Sequence, residues 1–126
     1  MAKMKPEVKV AKKVTNGQLY PGTTKAPFAL LLWSSLSSTS HQTSKQKMVQ
    51  DTFLAKKVRF ENIDGAQLDN KVHRNKFFNI SKVRGKYPQI FLCDENKKWE
   101  YIGMDEEFQY LLDDETFDTK FKGAMQ

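Results

Sequence analysis

Cys93 is the one cysteine in the chain, so its thiol has no partner for an internal disulfide, a CxxC exchange site or a multi-cysteine metal site. It ends the run Gln89-Ile90-Phe91-Leu92 and reads as a small buried hydrophobe at the end of a strand. His41 and His73 are the only histidines. Asp69 and His73 stand at helical i,i+4 spacing, but one carboxylate and one imidazole fall short of a metal site, and both histidines read as surface or capping residues. Hydroxyls crowd one stretch: Ser34, Ser35, Ser37, Ser38, Thr39 and Ser40. No base accompanies them, and neither a GxSxG elbow nor a glycine-rich phosphate loop is present. Lys82, Arg84 and Lys86 beside Tyr87 could neutralise and stack on a single nucleic-acid strand. Three charges and one ring are also ordinary surface composition, so nucleic acid is not the expected partner. No catalytic residue, no metal ligand and no cofactor is assigned.

These residues need elements to hold them. Phe28-Ala29-Leu30-Leu31-Leu32-Trp33 is apolar throughout, which predicts a strand buried on both faces and is far too short to span a bilayer. The hydroxyl stretch follows and can cap a helix over about His41–Ala55 with Met48, Val49, Thr52 and Phe53 inward. Val58–Ile63 reads as a second strand. Asp64-Gly65 ends it, with Asp64 as the cap of a second helix whose apolar side is Leu68, Val72, Phe77 and Phe78. Lys82–Tyr87 is a basic loop that ends at Pro88. Gln89–Cys93 and Trp99–Ile102, joined by a polar turn, predict a hairpin. Asp105, Glu106 and Glu107 open a third helix, acid at its positive end, with Phe108, Leu111 and Leu112 inward. Phe117 and Phe121 predict a last helical turn packing back. The order βαβ, then α, then ββα gives a four-stranded mixed sheet with helices on both faces.

A chain of 126 residues has room for one core, and its 39% hydrophobic and 29% charged residues suit a globular domain. The net charge of +6 is unevenly placed. Lys3, Lys5, Lys9, Lys12, Lys13 and Lys25 face only Glu7 across residues 1–27, which leaves +1 for the other 99 residues. The sequence therefore divides into a basic extended N-terminal arm, 1–27, and a domain, 28–126. No apolar segment follows the early lysines, which argues against a secretory signal, and no arginine precedes Arg59, which argues against a transit peptide. One unpaired cysteine fits a reducing, cytoplasmic setting. The six lysines are the expected partner-binding residues, and the partner they suit is an acidic surface, foremost of a protein assembly. A solubilising tail without a partner is the plain alternative.

Two motifs give a resemblance. Lys86-Tyr87-Pro88-Gln89-Ile90-Phe91 is similar to the glutaredoxin segment in which a cis-proline precedes the third strand. Ile102-Gly103-Met104-Asp105 resembles that family's glycine-aspartate turn into the last helix. The element order is that of the thioredoxin fold in its three-layer, glutaredoxin form. The serine-rich turn, the Lys/Gln-rich helix and the Phe-containing second strand are also similar to the SH3-binding glutamic-acid-rich family. The likeness covers residues 28–115 and leaves out the arm. It implies a cis Tyr87–Pro88 bond, and it makes Tyr87, Pro88, Gly103 and Asp105 residual glutathione-site candidates. It also carries a departure. A redox-active glutaredoxin holds its nucleophilic cysteine just after the first strand, where a helix N-terminus lowers the thiol pKa. Here that stretch is Ser34–Ser40, and serine cannot carry out thiol–disulfide exchange. The expectation is a non-catalytic thioredoxin-like interaction module, an accessory subunit of a large assembly that could be cytoskeletal or axonemal. The alternative is a glutathione-binding or thiol-related protein.

Overall fold

The computed structural model describes residues 24–36 and 39–126. Strand β1 is Phe28–Trp33, followed by helix α1, Ser40–Ala55, and strand β2, Phe60–Asp64. A 3-10 turn at Leu68–Asn70 leads into α2, Lys71–Ser81. Strands β3, Gln89–Cys93, and β4, Trp99–Gly103, form the hairpin, and α3, Asp105–Asp113, and α4, Phe117–Phe121, close the chain with a 3-10 turn at Lys122–Ala124.

The sheet order is β2-β1-β3-β4. β1 and β2 are parallel through α1, while β3 runs antiparallel to both of its neighbours. β1 is therefore central, and Phe28 to Leu32 are each no more than 2% exposed. Its alternate side chains divide between two cores. Ala29 and Leu31 join Val49 and Phe53 of α1, Phe108 of α3, and Phe117 and Phe121 of α4. Leu30 and Leu32 join Ile63, Phe91 and the Phe77–Phe78 pair of α2. The sheet is thus the middle of three layers, with α2 on one face and α1, α3 and α4 on the other. Phe53 anchors the larger core, its ring 5.1 to 5.5 Å from those of Phe60, Phe108 and Phe121.

Local chemistry sets the boundaries. Thr39 caps α1, its hydroxyl accepting from the N–H of Gln42 at 3.1 Å. Left-handed Lys82, at φ 65°, ends α2. In the hairpin turn the Asp94 carboxylate accepts from the N–H groups of Asn96 and Lys98 at 2.8 and 2.9 Å.

Four sequence expectations need correction. Asp64 does not cap α2: its Oδ1 accepts from the N–H groups of Ser35 and Ala66, and the helix starts only at Lys71. With that later start, Leu68 and Val72 lie on the outer side, 82% and 66% exposed. His73 takes the inner position with Phe77, Phe78 and Ser81, and it is fully buried rather than superficial. β2 begins at Phe60, because Val58 leaves the strand to bridge Met125.

Of the proposed arm, residues 24–27 are described. Arg59 ties them down. Its guanidinium donates to the carbonyls of Lys25, Pro27 and Gly123, the last two at 2.9 and 2.8 Å through Nη2. Lys25 itself is exposed. Lys3, Lys5, Lys9, Lys12 and Lys13 lie outside the described residues.

Candidate functional site

Three segments meet at the C-terminal end of β1. The register Leu32↔Gln89, continued by one residue, sets Trp33 opposite Pro88, so the turn that starts at Ser34 lies next to the proline. The Tyr87–Pro88 bond is cis, as the resemblance implies; Ala26–Pro27 is cis as well. On the far side of β3, Gly103 pairs with Ile90 and opens α3.

The turn after β1 is held by an amide. The Gln46 side chain accepts from the Ser34 N–H at 3.0 Å and donates to the Ser34 carbonyl at 3.1 Å, and Gln42 Nε2 donates to the same Gln46 oxygen at 3.3 Å. Both Ser34 and Gln46 are 6% exposed. The Ser34 hydroxyl accepts from the N–H of Leu36 and is occupied in shaping the turn. Ser35 is tied to the opposite loop through Asp64 at 2.9 Å. No thiol and no base stands among the described residues of this turn.

The thiol is elsewhere. Cys93 pairs with Phe28 at the other end of the strand, four residues from Gln89, or about 13 Å at the strand rise. It is fully buried, and burial followed by the charge of Asp94 pushes its pKa up, away from the thiolate a nucleophile needs.

The α3 entrance is built around Gly103, whose φ is +139°. A Cβ there would lie 2.4 Å from Cβ of Glu107, because Glu107 reaches back to cap the N–H of Met104 at 2.8 Å. Asp105 sits at the first position of α3, and its carboxylate meets Lys45 Nζ of α1 at 3.5 Å. Between these groups lies an open groove of about 680 Å³, lined by Lys45, Val83, Lys86, Tyr101, Gly103, Asp105 and Glu106, among others.

Of the four glutathione-site candidates, then, Gly103 and Asp105 line the groove. Tyr87 and Pro88 do not. The Tyr87 ring turns to the α2 face, 6.0 Å from that of Phe78, with its hydroxyl against Gly65. Burial raises the phenol pKa, partly offset by Arg74. Pro88 is buried at the start of β3.

Three side chains here escaped sequence reasoning. Lys45 supplies a cation to the groove, and Gln46 holds the turn. Gln89 Nε2 donates to the carbonyls of Val83 and Lys86 at 2.9 and 2.8 Å, which anchors the basic loop to β3. The i,i+4 pair Gln42–Gln46 directly after a serine turn was the available signal for the second. No group of three or more His, Cys, Asp or Glu that could hold a metal ion occurs among the described residues. No helix among them is long and apolar enough to cross a membrane.

No protein-family model matches the chain, and no curated protein matches its sequence. Among solved structures it is similar to the crystal structure of a buckwheat glutaredoxin–glutathione complex, with a TM-score of 0.60 and 12% identity over 81% of this chain and 84% of that one. At that identity the likeness is one of backbone, and the further likeness to the SH3-binding glutamic-acid-rich family rests on the sequence motifs alone. The four-stranded mixed sheet between two helical layers, the cis-proline ahead of β3 and the glycine turn into α3 make this chain a thioredoxin-like domain of glutaredoxin architecture.

Proposed function

We propose that this domain is a non-catalytic binding module, tethered to an acidic protein surface by its lysine-rich N-terminal segment. The observation that carries the first half is the replacement at the end of β1. The stretch where a glutaredoxin keeps its nucleophile is Ser34–Ser40, its first residue is locked by Gln46, and the lone thiol is buried at the other end of the sheet. Thiol–disulfide exchange needs an accessible thiolate, and Cys93 offers neither access nor a lowered pKa. The test is a disulfide-reductase and deglutathionylation assay on the full chain. The expected result is no turnover above the uncatalysed rate. Activity that disappears in Cys93→Ser would overturn the reading and make Cys93 the nucleophile.

The tether rests on charge. Lys3, Lys5, Lys9, Lys12, Lys13 and Lys25 face one glutamate, and binding through exposed lysines weakens as salt rises, because screening acts over about 8–10 Å near physiological ionic strength. An acidic filament such as a microtubule suits such a segment, and it would place the protein in the cytoplasm. Co-sedimentation with microtubules across a salt series, comparing the parent chain with one carrying alanine at the six lysines, tests this. Equal binding at every salt concentration would remove the tether.

A second reading has one observation in its favour. The groove at the α3 entrance keeps an anion-facing lysine, Lys45, and a carboxylate, Asp105. The solved structure of similar fold is titled as a complex with glutathione. Glutathione held in this groove would be bound without being turned over. Titration calorimetry with reduced glutathione decides it, and heat that vanishes in Asp105→Ala would favour this second reading.

A further inference from the structure

From Asn70 to Cys93 the chain carries Lys71, Arg74, Lys76, Lys82, Arg84 and Lys86 and no carboxylate at all. The remaining stretch, 94–126, has the opposite balance, ten carboxylates against Lys97, Lys98, Lys120 and Lys122. In the fold this sequence asymmetry becomes in part a spatial one, since α2 covers one face of the sheet while α3 and α4 cover the other, and of the loop after α2 only Val83 and Lys86 reach the groove at the α3 entrance. Lys71, Arg74, Lys82, Arg84 and Lys86 form no ion pair among the described residues, whereas Lys45, Lys47, Lys56 and Lys120 elsewhere each meet a carboxylate. The loop is fastened to the outer side of the helix by Arg84, which donates to Asn79 Oδ1 at 3.1 Å. Arg74 and Arg84 both stand over the Phe78 ring, 5.9 and 5.7 Å from its centre.

The same side also carries two aliphatic side chains in water. Leu68 and Val72 are 82% and 66% exposed and flank Lys71, with Asp69 the one carboxylate between them in sequence. A purely electrostatic surface has no use for them. Single-stranded nucleic acid would want exposed rings for base stacking. This face offers none: Phe77 and Phe78 are buried, and Tyr87 is turned onto Gly65. Protruding aliphatics on a side that also carries cations with no ion pair among the described residues match the layering of an anionic bilayer, with headgroup phosphates and carboxylates outside and hydrocarbon just beneath.

We propose that the outer face of α2, with Leu68, Val72, Lys71, Lys82 and Arg84, docks on an anionic lipid surface. The aliphatic pair enters the interface and the cations lie on the headgroups. None of these five residues is one of the N-terminal lysines or lines the α3 groove, so the proposal stands or falls independently of the function proposed above.

The experiment is co-sedimentation of the full chain with vesicles of phosphatidylcholine plus phosphatidylserine, against phosphatidylcholine alone, at near-physiological salt. Binding is expected only to the anionic vesicles. Lys71→Glu/Lys82→Glu/Arg84→Glu should weaken it about a hundredfold, and Leu68→Ser/Val72→Ser about tenfold. All five positions are exposed, but Arg84→Glu gives up the bond to Asn79, so circular dichroism first checks that each variant keeps the parent's fold, and Lys71→Glu/Lys82→Glu, which leaves that bond in place, should still weaken binding more than tenfold. Unchanged vesicle binding in the charge variant would mean that other lysines carry it, and the proposal fails. If the serine variant binds as the parent does, and polyuridylate or polyglutamate competes vesicles away equally from both, the face is a general polyanion surface and the proposal is overturned as well.

Discussion

Two corners of this domain face each other across β3 and have been treated differently. The turn after β1 is closed: backbone groups of Ser34 are taken up by one buried amide, and its hydroxyl is used internally. The entrance to α3 is open: a glycine lets the chain turn, a glutamate caps it, and a lysine and an aspartate meet over a groove. Under the function proposed above, the first corner lacks a nucleophile and the second leaves room for a ligand. The two share the sheet and adjacent residues of α1, Gln46 for the first and Lys45 for the second, but the bonds that hold each are separate, so one could change without dismantling the other.

The open corner should be the more fragile to mutation. Gly103→Ala forces a side chain into φ +139° and within 2.4 Å of Glu107 Cβ. Either Glu107 gives up its cap on Met104 or the backbone moves, so a loss of about 3–5 kcal/mol is expected. Urea denaturation measures it. A loss below about 1 kcal/mol would show that the turn relaxes at little cost, and that its geometry is not fixed by the glycine.

The closed corner should come next. Gln46→Ala strands the Ser34 N–H and carbonyl in a site where both residues are 6% exposed. Leaving buried polar groups unmet costs about 1–3 kcal/mol each, so the two put roughly 2–6 kcal/mol at stake, and water entering the turn should hold the loss to about 2–4 kcal/mol. Amide hydrogen exchange at Ser34 sharpens the comparison: it should quicken in this variant more than in Gly103→Ala. Equal quickening in both variants would mean the two corners unfold as one unit.

Much of this architecture was legible because hydrophobic patterning is local. Phe28–Trp33 and Gln89–Cys93 have the bounds their apolar runs gave, and Phe108, Phe117 and Phe121 point inward as their spacing implied. What misled was competition for one side chain. Asp64 before a helical pattern reads as a cap, yet its carboxylate is claimed by Ser35, twenty-nine residues away in sequence, and by Ala66. The helix then starts later, and the rotation of the pattern exposes Leu68 and Val72 while burying His73. Of the site, the glycine turn and the cis-proline could be read from short motifs. The Lys45–Asp105 contact could not, because it joins segments far apart along the chain, whereas Gln46–Ser34 spans only 12 residues and had its signal in the Gln42–Gln46 pair after the serine turn. The orientation of Tyr87 was equally hidden, since it depends on the space over Gly65.

The smallest effect concerns the thiol that neither corner uses. The Cys93 pKa is raised above its ordinary 9.0, first by burial and then by Asp94. Tyr87 and Tyr101 are raised above 10.0, in both cases mainly by burial. In each case the unfolded chain releases its proton first as pH rises, so the folded state holds more protons and stability falls with pH. Lys76 acts with the opposite sign, because burial lowers it from 10.5 and the folded state releases its proton first. Three groups against one predicts a net decline, and Cys93 has the lowest ordinary pKa of the three, so the decline should begin near pH 9. Cys93→Ala changes overall stability by a constant offset but should also delay the onset to near pH 10, where the tyrosines begin to titrate. Denaturant midpoints from pH 7 upward, with thiol labelling of the native parent chain alongside, provide the check. Labelling should be slow at pH 8 and should track unfolding. An unchanged onset in Cys93→Ala, or rapid labelling of the folded protein, would show that the thiol is accessible and would reopen the case for chemistry at β3.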